Sequence, residues 1–307
     1  ASGPRHDEQR ELIASSIAPV WEANHVWLIV AVVMFFTAFP AAFGAVGIVL
    51  HLPLTVMLLG VVLRGSAFVF RSYGGGTTAV RRRWGLTFAV ASVVTPFVLG
   101  VAIGTVASGA AANAFGHVGD RSFVEVFVSP WLDWFPLSVG ALTLALFAFL
   151  AAVYLAVAAT DDGLRDDFRK RALVSAVAVF LFAALALVAA WRGAPQIMSG
   201  ITQSSWALVL HLATAIAAIT AIVALWTRRF ALARLAAGAQ VSLILWGWAL
   251  AQFPFIVPPT LSIRATAAPD VTLELLVIGV AVGAAILIPS LRFLFRLSLS
   301  QRDHAPP

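Results

Sequence analysis

The chain has 307 residues, 61% of them hydrophobic and only 11% charged, with a mean hydropathy of +0.95. A soluble domain is about 45–50% apolar and about 25% charged, so no soluble fold could hide this much apolar surface. The net charge of +6 and pI of about 11.1 would suggest nucleic acid in a soluble protein, but these charges sit in short loops between apolar runs, which argues against that partner. No cysteine is present, which excludes disulfides, cysteine-ligated iron–sulfur clusters and thiolate chemistry.

The sequence opens at Ala1 without an initiator methionine, and its first residues, ASGPRHDEQRELI, are polar and helix-forming rather than a signal peptide. This is the pattern expected of a processed chain or a fragment. Beyond it, apolar runs of about 20 residues, enough to cross a bilayer core, predict helices near 25–43, 45–63, 85–107, 135–158, 172–191, 205–226, 236–256 and 272–291. The expected fold is an all-α, polytopic transmembrane helical bundle of eight spans, forming one integral membrane domain over residues 1–307. The link between the first two spans, around Phe43-Gly44-Ala45, is nearly absent, so a tight antiparallel hairpin is expected there. Other connections are short or moderate, and none could hold a separate soluble domain. Gly74-Gly75-Gly76 reads as a flexible connector, because it lacks the lysine and Ser or Thr of a phosphate-binding loop and follows no strand.

Orientation follows the positive-inside bias. Arg5, Arg10, Arg64, Arg71, Arg81–Arg83, Arg165, Arg169–Arg171 (Lys at 170), Arg228, Arg229, Arg234, Arg292, Arg296 and Arg302 fall on one side of the eight-span scheme. Only Arg121, Arg192 and Arg264 fall on the other, a split of 17 to 3. Both ends of the chain are therefore expected to be cytoplasmic in a multi-pass cell-membrane protein.

Ionisable groups at membrane depth are costly, so each is a candidate for function. The densest segment is Ala18-Pro19-Val20-Trp21-Glu22-Ala23-Asn24-His25-Val26-Trp27-Leu28-Ile29, where Pro19 suits a helix start and the polar residues crowd the cytoplasmic mouth of the first span. One reading is an interfacial belt, with tryptophans at headgroup depth and Glu22 near the positive end of a helix. The other makes Glu22 a proton acceptor whose partial burial raises its pKa, held in geometry by Trp21 and Asn24. Arg64-Gly65-Ser66-Ala67-Phe68-Val69-Phe70-Arg71 ends the second span on the same side, so Arg64 and Arg71 are candidates for structural or proton-path support, against simple snorkelling to the headgroups. Arg81-Arg82-Arg83 reads as a topology and anionic-lipid signal.

The histidines offer no metal pattern. His6 and His304 are in polar tails, His51 and His117 near the outer face, and His25 and His211 come from different spans without an i, i+4 carboxylate pair or a haem attachment motif. No metal-binding and no cofactor-binding residue is expected in this chain. Pro40, Pro53, Pro96, Pro254 and Pro258-Pro259 punctuate helices or their ends.

The run Ser16-Ile17-Ala18-Pro19-Val20-Trp21-Glu22-Ala23-Asn24-His25-Val26-Trp27-Leu28-Ile29 resembles subunit II of the cytochrome bd-type quinol oxidases, whose pattern there is S-I-A-P-x-W-[DE]-x-N-x-V-W-L-I. Arg64 to Arg71 is similar to that family's R-x-x-x-F-[DE]-[FY]-R. Pro96-Phe97-Val98-Leu99-Gly100-Val101-Ala102-Ile103-Gly104 and Phe253-Pro254-Phe255 to Pro258 follow in the family's order. The likeness runs over nearly the whole chain and is most specific in its first 71 residues. Two departures stand out: the family's glycine-rich first membrane helix, which would be a ninth span, is not seen before Ala1, and Val69 stands where the family has an acid.

The resemblance implies a subunit of a membrane complex that oxidises quinol and reduces dioxygen to water. Haems b and d and the quinol-oxidising loop are implied for the partner, subunit I, in a heterodimer. This chain would then be a helical scaffold and a cytoplasmic proton entry, touching membrane lipid and a bound quinone, in a bacterial or archaeal cell membrane. The alternatives are a secondary transporter, for which midplane polar sites and inverted repeats would be expected, and a paralogue that keeps the scaffold without conducting protons, which Val69 suggests.

Overall fold

The computed structural model describes residues 5–17, 21–73 and 77–302, and within these the side chains at positions 6, 17, 21–26, 72, 73 and 294–302 are not described. In chain order the helices are α1 (His6–Ile17), α2 (Trp21–Ala38), α3 (Pro40–Val49), α4 (His51–Tyr73), α5 (Thr78–Ala107), α6 (Ala110–Phe115), α7 (Phe123–Phe127), α8 (Trp134–Ala158), α9 (Asp162–Gly193), α10 (Pro195–Gln203), α11 (Ala207–Trp226), α12 (Phe230–Gln252), α13 (Ile263–Thr266) and α14 (Asp270–Arg302). One antiparallel pair, β1 (Phe255–Val257) and β2 (Leu261–Ser262), follows α12. Among the described residues seven helices are long and apolar enough to cross a membrane, and α2 with α3 makes an eighth if that bent pair is one span. The all-helical membrane fold expected from the sequence is the one observed.

The first two spans differ from expectation. The turn expected at Phe43-Gly44-Ala45 lies inside α3; the chain breaks instead at Phe39, where α2 and α3 meet at 116°. The cause is Pro40, which has no N–H to continue the α2 hydrogen-bond ladder but suits the first position of a new helix. Helical spacing resumes at once, with Phe43 N–H donating to the Phe39 carbonyl at 2.9 Å. A second break at Leu50 precedes α4, whose first turn takes Pro53 without loss of a bond. The apolar run at 45–63 therefore divides between α3 and α4, and the second spanning helix is His51–Arg71.

The packing is layered by end. At one end, α3 contributes Ala42 and Val49 to a buried cluster with Ala111, Ala114, Val126 and Val257, so the short helices, the β pair and α3 close that face together. Toward the turn that joins α11 to α12, these two helices share a core with α8 and α9 around Phe149, Val153, Val179 and Leu225. Most of the remaining apolar side chains point outward, among them Val174, Phe180, Val188, Leu208 and Val277, as expected where lipid rather than water is the solvent. At the opposite end, polar contacts knit the arginine-bearing turns. Arg228 donates to Asp166 at 3.0 Å, and Arg165 stacks over Phe230 with its guanidinium carbon 5.5 Å from the ring centre. Asp161 caps α9 by accepting from Leu164 N–H at 2.8 Å.

Candidate functional site

Trp21, Glu22 and Asn24 fall in the first turn of α2, with backbone described; their side chains, with that of His25, lie outside the described residues. Leu28 follows Glu22 by six residues, about 9 Å along the helix axis. Leu28 and Ile29 form one wall of an apolar groove of about 520 Å³, and Val62, Ser66, Val69 and Phe70 of α4 form the other. Residues of α2 and of the Arg64–Arg71 half of α4 thus line opposite walls of one groove. Val69 faces this groove and is 42% exposed, so the position where the resembled pattern carries an acid offers no titratable group here.

Arg64 and Arg71 are separated by seven residues, about two turns, and so lie on one side of α4. The Arg64 guanidinium carbon sits 5.7 Å from the centre of the Phe88 ring of α5, a cation–π contact. Lower on the same helix pair, Phe70 and Trp84 stack with centres 4.8 Å apart and planes 22° from parallel. These two aromatic contacts fix the register of α4 against α5. Neither Arg64 nor Arg71 forms an ion pair with a carboxylate among the described residues.

A second polar cluster was not anticipated from the sequence. The Arg5 guanidinium forks onto Asp167, Nε to Oδ2 at 3.3 Å and Nη2 to Oδ1 at 3.1 Å. Gln9 of α1, only 1% exposed, donates from Nε2 to Asp167 Oδ2 at 2.8 Å and accepts at Oε1 from Arg171 Nη2 at 2.9 Å. The partners are about 160 residues apart in sequence, and only the folded topology brings them together.

The three histidines with described side chains each bond a backbone carbonyl three or four residues earlier: His51 Nδ1, at the start of α4, to Ile48 of α3 at 2.8 Å, His117, in the turn after α6, to Asn113 at 2.8 Å, and His211 to Ala207 within α11 at 2.6 Å. Among the described residues no group of three or more His, Asp or Glu side chains is placed to hold a metal ion.

The model of the family described as cytochrome bd terminal oxidase subunit II matches residues 1–298. The chain belongs to the cytochrome bd terminal oxidase subunit II family. Similar proteins include cytochrome bd ubiquinol oxidase subunit 2 of Bacillus subtilis (strain 168), 31% identical over 189 residues that make up 59% of this chain and 52% of that protein. Cytochrome bd-I ubiquinol oxidase subunit 2 of Escherichia coli (strain K12) is 27% identical over 187 residues, 61% of this chain and 48% of that protein. In these matches the chain spans about half the length of the curated relatives. The solved structure of the bd oxidase from Geobacillus thermodenitrificans contains a chain with the same fold, at a TM-score of 0.76 and 23% identity, covering 96% of this chain and 87% of that one. Membership of the subunit II family bears out the resemblance carried by the Ser16–Ile29 and Arg64–Arg71 motifs, and it leaves the transporter reading without support.

Proposed function

We propose that this chain is subunit II of a complex that oxidises quinol and reduces dioxygen to water, forming one membrane domain in a heterodimer with a haem-bearing subunit I. The match to the subunit II family over residues 1–298 carries this reading. Haems b and d and the quinol-oxidising site belong to the partner, while this chain contacts membrane lipid and a bound quinone. The 17 to 3 distribution of Lys and Arg supports a cytoplasmic location for both of its ends, in a bacterial or archaeal cell membrane.

Reducing one dioxygen to two waters takes four electrons, from two quinols, and four protons. In this reading the protons enter at the cytoplasmic mouth, where Glu22 accepts one and Trp21 and Asn24 hold its geometry. Arg64 and Arg71, on one side of α4, give the mouth structural or proton-path support. One observation favours the scaffold-only alternative: Val69 puts an apolar side chain where a second acid would stand in the groove. The test is affinity purification of the tagged chain from membranes that also carry its genomic neighbours. The expected result is a coloured complex that consumes oxygen with quinol, and a chain recovered without a haem-bearing partner would overturn it.

A further inference from the structure

We infer that the Arg5–Gln9–Asp167–Arg171 network is a latch that positions the Glu22 end of α2, so that these four are positioning residues for proton entry. The inference rests on the proton-entry reading above and extends it to residues outside the mouth.

The chain geometry carries the argument. Only residues 18–20 separate α1 from α2, and the four virtual bonds from Ile17 to Trp21 reach at most about 14 Å. Wherever α1 is held, the first turn of α2, with Glu22, is held within that reach. What holds α1 is a built site. Gln9 is the most deeply buried polar side chain of α1 among the described residues, and its amide is used at both ends, donating to the Asp167 carboxylate and accepting from Arg171. Arg5 adds a fork onto both oxygens of the same carboxylate and lies 3.9 Å from Asp161, a geometry that specifies direction as well as distance. The Arg5 guanidinium lies directly over Gly163, in the space that a β-carbon there would occupy. The receiving end is the start of α9, which Arg228 ties through Asp166 to the turn before α12. The latch therefore references the α2 mouth to α9, which shares a buried core with α8, α11 and α12.

A buried amide with both ends bonded is sensitive to truncation, because its partners are left without bonds. Gln9→Met keeps the length of the side chain and removes both bonds, and Asp167→Asn removes the charge that Arg5 grips. The native chain has no cysteine, so spin labels at Glu11→Cys and Lys170→Cys report the distance between α1 and α9 in the assembled complex, against single-cysteine controls. The latch predicts a narrow distance distribution in the native background that broadens in both variants, with haem content and the KM for quinol unchanged and the rate per haem down roughly tenfold, as for a displaced reacting group. In a Glu22→Gln background, Gln9→Met should cause no further loss, since both act on the same step. Unbroadened distances, or a Gln9→Met complex at native rate while Glu22→Gln is slow, would overturn the latch alone. A Glu22→Gln complex at native rate would overturn the proton-entry reading and the latch with it.

Discussion

Gly104 of α5 and Pro136 of α8 approach so closely that a β-carbon on the glycine would lie 2.7 Å from the Pro136 Cα. Across the same crossing, a β-carbon on Gly140 would lie 2.9 Å from the Phe97 carbonyl oxygen. Small residues let two membrane helices meet backbone to backbone, where dispersion replaces the hydrophobic effect as the driving force. Because the obstructing atoms are backbone, Gly104→Val should cost about 1–3 kcal/mol of overpacking and lower the melting temperature of the purified complex. Gly85→Ala, with open space around its β-carbon, should instead be neutral or gain up to about 1 kcal/mol of helix propensity. Equal melting temperatures for Gly104→Val and the native complex would show that the crossing is looser than described.

Glu125 caps α7 together with Ser122 in a reciprocal box: its carboxylate accepts from the Ser122 hydroxyl at 2.7 Å and from the Ser122 N–H at 3.0 Å. These bonds, first the hydroxyl and then the backbone, with a smaller contribution from Arg121, hold the Glu125 carboxyl below its usual range. A depressed folded pKa means that the contribution is present above the unfolded value and is lost as the pH falls through the lower folded value. Hydrogen exchange of the segment from Ser122 to Phe127, corrected for its intrinsic rate, should therefore accelerate as the pH drops below about 4.5. Glu125→Gln should abolish that dependence, and an identical pH response in the variant would refute the assignment.

The charge asymmetry makes a topological prediction that the absence of native cysteines renders simple to read. Single cysteines at Gly75, Asp162 or Pro307 should react with an impermeant thiol reagent only from the cytoplasmic side. Cysteines at Gly116 or Arg264 should react only from the outside. One reproducible label on the wrong face would mean that the span scheme has gained or lost a crossing.

Hydropathy and the arginine pattern carried the helical class and most of the spans, because both follow directly from the bilayer as solvent. The break at Phe39 was harder to read. Pro40 could punctuate a helix or end it, and the sequence does not say that the apolar run after it turns through 116° to cover one end of the bundle. Gly44 misled for a related reason: its lack of a side chain suits a turn, yet it also fits within a helix, as it does in α3. The Glu22 motif was legible because its residues are adjacent in sequence. The Gln9–Asp167 pair was not, since its members are 158 residues apart and neither carries a local pattern that distinguishes it from the charged residues around it.

The measurement that bears most directly on this chain's role is the quinol oxidase rate per haem of the assembled complex carrying Glu22→Gln, alongside Glu22→Asp. Glutamine keeps the size and hydrogen bonding of the side chain but removes proton exchange, so the account predicts a marked slowing with assembly and haem content intact. Aspartate, the other acid accepted at this position in the resembled pattern, should retain much more activity. Loss of a favourable helix-end charge alone is worth only about 0.3–1 kcal/mol of stability, too little to account for such a fall in rate. A Glu22→Gln complex turning over at the native rate would contradict the account and leave this chain as a scaffold, with proton entry through subunit I.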